Sequence, residues 1–188
     1  MLHFAMSNGA VLGIVLIILS LMWYILGVMP DTLGKMLLIP LLNVIIVIVF
    51  VVIGTKNYRK KVLDGFISFR DAFQVGFLII LFAYILRYFY DLIFNLIIDP
   101  GYVERVYEGL INWMYDFYGR MGVPESQFEP QIQRYEEQMA NFSPLRSFFL
   151  GVLSAGGLGA ILTLITGAIL KKEPPPFGQQ EQQEQNNE

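Results

Sequence analysis

The sequence predicts an all-α integral membrane protein with four transmembrane helices and an extracytoplasmic amphipathic helical segment between the third and the fourth. Hydrophobic residues make up 55% of the 188 residues and charged residues only 15%, against about 25% charged residues in an ordinary soluble domain. The mean hydropathy is +0.52. The apolar residues are gathered into long runs with few charges, and such runs are typical of membrane-spanning helices.

The four predicted membrane helices cover about residues 6–29, 33–54, 69–98 and 144–170. The first has no charged side chain and is long enough to cross a hydrocarbon core of about 30 Å. The second is expected to end at Gly54 and to be kinked by Pro40. Asn43 places one polar group on this helix within the membrane, and an inter-helix hydrogen bond is the favoured interpretation over a substrate contact.

The segment over about 100–143 is the most polar part of the predicted domain. Its apolar residues recur at helical spacing opposite charged ones, which predicts an outer cap of two amphipathic helices over the ends of the bundle. The whole is expected to form one transmembrane domain over residues 1–172. The tail over 173–188 is rich in proline, glutamine and glutamate and is expected to be a disordered cytoplasmic segment.

The distribution of basic residues predicts the orientation in the membrane. They cluster in the link between the second and third helices and after the fourth: Lys56, Arg59, Lys60, Lys61, Arg70, Lys171 and Lys172. The segment 99–146 contains no lysine. Because positively charged loops favour the cytoplasmic side, both termini and the link are expected to be cytoplasmic.

The composition argues against several classes of chemistry. The chain has no cysteine, and its one histidine is His3, beside the N-terminus. Thiolate sites, multi-histidine metal sites and a serine–histidine couple are therefore excluded, and no metal ligand, cofactor or catalytic residue is predicted. A net charge of −3 argues against nucleic acid as a partner. The sequence thus favours a protein that is not an enzyme.

Small residues recur every four positions through the fourth helix, at Gly151, Ala155, Gly159, Thr163 and Gly167. Residues four apart share one side of a helix, so this pattern predicts a helix-packing face that lets another backbone approach closely. Gly9 and Gly13 form a shorter version on the first helix. The pattern leaves open whether the partner is the first helix, a second copy of the chain or another membrane protein.

Arg87, Asp91 and Asn95 follow each other at four-residue spacing on the third helix. Ionisable residues within membrane helices are rare and often functional. A structural ion pair is the favoured interpretation, and a transport path or a ligand site is the alternative.

The chain resembles a bacterial membrane family catalogued as domain of unknown function 4199. The resemblance covers about residues 8–172 and is carried by the segments Asn57–Lys61, Gly65–Phe73 with Gly76, Ile98–Tyr102, and the small-residue last helix that ends in Lys171–Lys172. It implies a four-helix protein of the bacterial inner membrane with a helical outer segment. The family has no assigned activity, so the resemblance carries over no catalytic residue.

These observations favour a non-catalytic accessory or packing subunit, surrounded by the lipid bilayer, that self-associates or binds a larger membrane complex. The fourth-helix face would be the contact. The alternative is an oligomeric transporter or channel in which Arg87 and Asp91 handle an anion or a proton.

Overall fold

The computed structural model of the chain describes residues 1–174, so the tail predicted to be disordered (173–188) lies almost entirely outside the described residues. The helices are α1 (Leu2–Ile25), α2 (Leu33–Val62), α3 (Phe69–Ile93), α4 (Tyr102–Arg120), α5 (Glu125–Ala140) and α6 (Pro144–Leu170), and α3 continues into a π-helical turn, Phe94–Ile98. Within residues 1–174 there is no strand beyond one isolated bridge. Four of the helices, α1, α2, α6 and α3 with its π-helical turn, are long and apolar enough to cross a membrane, which confirms the predicted all-α class.

Two predicted helix boundaries are wrong, and both errors concern glycine. α1 covers Leu2–Ile25 rather than 6–29, because Gly27 takes a left-handed conformation (φ +66°) that ends the helix. α2 does not end at Gly54 but continues to Val62. Gly54 is buried against α3, where a Cβ atom would lie only 2.7 Å from Ile79 Cδ1, so this glycine serves a close helix contact and not a helix end.

α3 is the central helix of the bundle, and α1 and α6 both pack mainly against it. Its fully buried residues include Val75, Ile79 and Ala83, and they share one core cluster with Leu12 of α1 and Val51 of α2. Because α3 contacts all three other membrane helices, its side chains decide which residues of α1, α2 and α6 face inward.

α2 is joined to the bundle through only one half of its length. Its buried residues lie from the middle of the helix toward Val62: Val47, Val51, Gly54, Thr55 and Tyr58. No residue over 33–46 is buried. The first half of α2 is therefore packed less closely than the second, and a crevice opens between α2, α3 and α6.

α4 and α5 form a cap over one end of the bundle, here called the capped end. Their facing sides share a small apolar core of Leu110, Met114, Phe128 and Ile132, with Met36 of α2 packed against it. This cluster confirms the amphipathic pattern expected for the outer segment. Gly109 of α4 faces the start of α2, where a Cβ atom would lie 2.8 Å from Asp31 Cβ.

The opposite end, here called the basic end, is held by main-chain contacts. The main-chain nitrogen of Ile67 donates to the carbonyl of Lys172 at 2.8 Å, and that of Lys172 donates to Ile67 at 2.9 Å. Arg59 Nη1 donates to the Leu170 carbonyl at 3.2 Å. A cation at the C-terminal end of a helix also complements the helix dipole, so these contacts fix the last turn of α6 beside the link between α2 and α3.

Candidate functional site: the small-residue faces and the polar cluster of α3

The small-residue face of α6 lies against α3 of the same chain. A Cβ atom on Gly151 would lie 2.5 Å from the ring of Tyr88, and one on Gly159 would lie 2.8 Å from Ile80 Cγ2. Ala155 is buried, and a Cβ atom on Gly167 would lie 3.3 Å from the main-chain nitrogen of Phe73. The fully buried Thr163 satisfies its hydroxyl within α6 by donating to the Gly159 carbonyl at 2.7 Å. The absence of larger side chains therefore permits the close approach of α3 and α6.

The glycines of α1 serve the same central helix. A Cβ atom on Gly9 would lie 2.8 Å from the main-chain oxygen of Ile79, and one on Gly13 would lie 3.0 Å from that of Ala83. The small-residue pattern of α6 left open whether its partner is α1, a second copy of the chain or another protein, and the helix found there is α3. α3 itself carries small residues at helical spacing, namely Ala72, Gly76 and Ala83, and this pattern is the sequence signal that could have identified α3 as the partner. All three are buried in the structure.

Arg87 is the centre of a polar cluster that joins α1 and α3. It forms an ion pair with Asp91 one turn later, and its Nη2 donates to Ser20 Oγ of α1 at 3.0 Å. Its guanidinium group also lies 5.5 Å from the centre of the Tyr90 ring. The side chains of Arg87 and Asp91 are 20% and 31% exposed. Sequence reasoning did not assign Ser20 to this cluster, although it is a polar residue in an otherwise apolar stretch of α1.

The cluster lies toward the capped end of the membrane-spanning region. At about 1.5 Å per residue, Arg87 is roughly 27 Å along the axis from the first residue of α3, a distance comparable to the thickness of a hydrocarbon core, about 30 Å. Tyr24, Phe94 and Tyr102 pack edge to face just beyond it, with ring centres 5.0 to 5.8 Å apart. Aromatic residues of this kind are enriched at membrane interfaces.

A second set of polar contacts lies beside these aromatic rings and centres on Asp99. Tyr24 donates its hydroxyl to Asp99 Oδ2 at 3.1 Å, and Arg105 of α4 forms an ion pair with the same carboxylate. Burial raises the pKa of Tyr102 above its ordinary value, and the positive charge of Arg87 opposes that shift. Tyr102 is therefore a neutral phenol at neutral pH. The contacts of Asp99 with Tyr24 and Arg105 connect the first turn of α4 to the ends of α1 and α3.

Asp91 and Asn95 line a cavity of about 180 Å³, here called the capped-end cavity, between α3, the first two turns of α6 and the cap. Tyr88, Val103, Ser147 and Phe148 complete much of its wall. Asn95 Nδ2 donates to the main-chain oxygen of Asp91 at 2.7 Å. The fourth predicted polar residue, Asn43, is half-buried on α2 and is not among the residues that line this cavity.

The remaining acidic residues do not form a metal site in the part of the chain that the structure describes. No group of three or more histidine, aspartate or glutamate side chains is placed to hold a metal ion within residues 1–174. Glu104, Glu108, Glu136 and Glu137 are exposed on the cap.

Comparison with known proteins gives one match. No curated protein matches the chain, and no solved structure matches it. The family described as Protein of unknown function (DUF4199) matches residues 7–172, which include the four candidate membrane spans almost completely and the whole cap. The chain belongs to the DUF4199 family.

Proposed function

We propose that the protein is a non-catalytic accessory subunit that associates within the membrane, either with a second copy of itself or with a larger membrane complex. The observation that carries the proposal is an uncovered glycine surface on α6. Gly156 and Gly157 have no atom within 4 Å of the position that a Cβ atom would occupy, whereas Gly151 and Gly159 are tightly covered by α3.

The proposed contact differs from the one that the sequence pattern favoured. The face over Gly151–Gly167 is filled by α3, so it is not available to a partner. The proposed interface is instead the outward surface formed by Leu153, Gly157, Ile161 and Leu164, all of which are exposed. A glycine among large apolar side chains lets a second backbone approach, and helices in lipid associate through such packing.

α2 supplies further unpaired membrane surface. Leu37 and Leu41 are 73% and 56% exposed, and no residue over 33–46 is buried. Lipid can cover such a surface, so its exposure alone does not require a partner. It does provide helix surface beside α6 that a partner could contact without unfolding the bundle.

Gly157→Leu is expected to reduce the complex seen on native gels in mild detergent to a smaller species, while the monomer remains folded because nothing in the chain lies within 4 Å of the Cβ position. Gly119→Leu on α4 is the matched control, because Gly119 also has open space around it but lies in the cap. Mass spectrometry of the wild-type complex distinguishes a second copy from another protein. A complex of unchanged size with folded Gly157→Leu would contradict the proposal.

The alternative function, an oligomeric transporter or channel, is favoured by the position of Asp91 and Asn95 on the wall of the capped-end cavity. In that case Arg87 and Asp91 would handle an anion or a proton. The double variant Arg87→Gln, Asp91→Asn in proteoliposomes separates the two functions. Loss of proton or anion flux with intact assembly would support transport, and unaltered proton and anion flux would contradict it.

A further inference from the structure

Positive charge is concentrated at the basic end of the bundle. The link over 55–71 and the residues 171–173 contain seven basic and three acidic residues. Arg59 is half-buried and donates to the Leu170 carbonyl. The other six basic side chains are exposed and form what is here called the basic surface: Lys56, Lys60, Lys61, Arg70, Lys171 and Lys172. This surface therefore carries an excess of positive charge.

Within residues 1–174, the cations of the basic surface have no acidic partner. The ion pairs of this part of the chain all lie elsewhere, and they use four of its six other basic residues: Lys35, Arg87, Arg105 and Arg120. Asp71 follows Arg70 directly but accepts a hydrogen bond from Ser68 at 2.7 Å. Lys56 and Lys60 lie one turn apart on α2, and like charges at that spacing destabilise a helix. An external anion would relieve this repulsion.

The basic surface lies where the apolar surface of the bundle ends. Leu170 is the last residue of α6, and Lys171 and Lys172 follow it directly. The contact of Arg59 with the Leu170 carbonyl and the main-chain hydrogen bonds between Ile67 and Lys172 place α2, the link and the end of α6 at one level. Lysine side chains at the end of an apolar helix extend to the head-group region, so this level corresponds to the lipid phosphates.

Exposed aromatic rings accompany the cations at this level. Phe66 and Phe69 are 37% and 39% exposed. Lys172 Nζ lies 5.7 Å from the centre of the Phe66 ring. Proteins that bind anionic membranes combine apolar side chains, which contact acyl chains, with cations that contact phosphates. A small soluble anion offers no apolar surface to such rings, so the combination favours a lipid.

We infer that the basic surface binds the head groups of anionic phospholipids, of the phosphatidylglycerol class, in the leaflet beside the basic end. The lysine and arginine side chains donate to the phosphate oxygens, and the two phenylalanine rings contact the adjoining acyl chains. The orientation rule accounts for basic residues in a loop, but it does not require them to be held together by the main-chain bridge between Ile67 and Lys172. Phosphatidylcholine is attracted less, because its own cation balances its phosphate.

Native mass spectrometry of the full chain with lipids of matched acyl chains tests this inference. Phosphatidylglycerol is expected to bind at least about tenfold more tightly than phosphatidylcholine, a ratio that corresponds to about 1.4 kcal/mol. Raising the salt concentration about tenfold shortens the Debye length about threefold and should reduce this preference. Equal affinity for the two lipids would overturn the inference. Displacement of the lipid by an equal concentration of glycerophosphoglycerol, its soluble head group, would assign the surface to a soluble anion instead.

The double variant Lys60→Gln, Lys172→Gln removes two charges of the basic surface and leaves the main-chain bridge of Lys172 in place. It is expected to reduce the preference for phosphatidylglycerol at least about fivefold, because each basic residue beside an anionic membrane contributes a factor of roughly five. Both side chains are exposed, so the unfolding temperature should stay within a few degrees of the wild type. A folded double variant that keeps the full preference would refute the assigned surface.

Arg134→Gln with Arg146→Gln is the matched control, because it changes the net charge by the same amount at the capped end. Both arginines are exposed, and neither forms an ion pair in the described part of the chain. The control should keep the preference for phosphatidylglycerol. Equal losses in the two double variants would mean that the net charge of the protein, and not the basic surface, determines the preference.

Discussion

Replacing Gly159 by leucine is expected to lower the free energy of unfolding by about 2 to 3 kcal/mol, the upper part of the range for an overpacked core. The position that its Cβ atom would take lies 2.8 Å from Ile80 Cγ2 and 3.5 Å from Ile80 Cβ. The remaining leucine atoms would have to displace α3, and α3 also holds α1 and α2 in place. Thermal unfolding of the purified protein in mild detergent measures the loss.

Gly157→Leu is the matched control for this experiment, because it makes the same substitution two positions away on α6. Nothing lies within 4 Å of the Cβ position at Gly157, so the unfolding temperature of the variant monomer should equal that of the wild-type monomer or rise slightly through better helix propensity. Equal destabilisation by the two variants would mean that α6 does not pack on α3 through Gly159.

Arg87→Gln is expected to lower the free energy of unfolding by about 2 kcal/mol, below the range for a fully buried ion pair because both side chains keep some exposure. The substitution leaves the Asp91 carboxylate without its cation toward the capped end of the bundle and removes the donor to Ser20 Oγ. Asp91→Asn should be destabilising for the reciprocal reason, since it leaves Arg87 without its counter-ion.

The double variant Arg87→Gln, Asp91→Asn is expected to recover most of that loss, because neither side chain then carries a charge. In a double-mutant cycle, the coupling between the two residues should be at least about 1 kcal/mol. Additive losses in the cycle would show that the two residues do not act as a pair.

The membrane architecture could be predicted from the sequence because lipid imposes strict requirements. A helix that crosses the membrane must be long and apolar, and the chain has four such stretches separated by charged or proline-containing links. The amphipathic pattern of the cap was equally informative, and Leu110, Met114, Phe128 and Ile132 form its core. These features depend on local sequence, so the pattern alone identifies them.

The helix partners could not be predicted in the same way. A stripe such as Gly151 to Gly167 indicates that a backbone can approach, but any smooth apolar helix satisfies that requirement. The choice of α3 depends on how Tyr88 and Ile80 fit over Gly151 and Gly159. The prediction that α2 ends at Gly54 was wrong because a glycine can either end a helix or allow a close contact within one.

Crosslinking of α3 to α6 tests the central claim, which is that α3 occupies the small-residue face of α6 within one chain. The natural chain has no cysteine, so only engineered pairs can form a disulfide. The Cβ position at Gly159 lies 3.5 Å from Ile80 Cβ, at the lower edge of the separation of about 3.5 to 4.5 Å found in disulfides. Ile80→Cys with Gly159→Cys is therefore the test pair, and Ile80→Cys with Gly157→Cys is the control.

Both proteins would carry a protease site in the turn between α4 and α5 and would be oxidised in membranes. After cleavage, the fragments of the test pair should migrate together as one monomer on a non-reducing gel and should separate on reduction. Those of the control should separate without reduction. A disulfide-linked dimer, or separate fragments for the test pair, would contradict the claim.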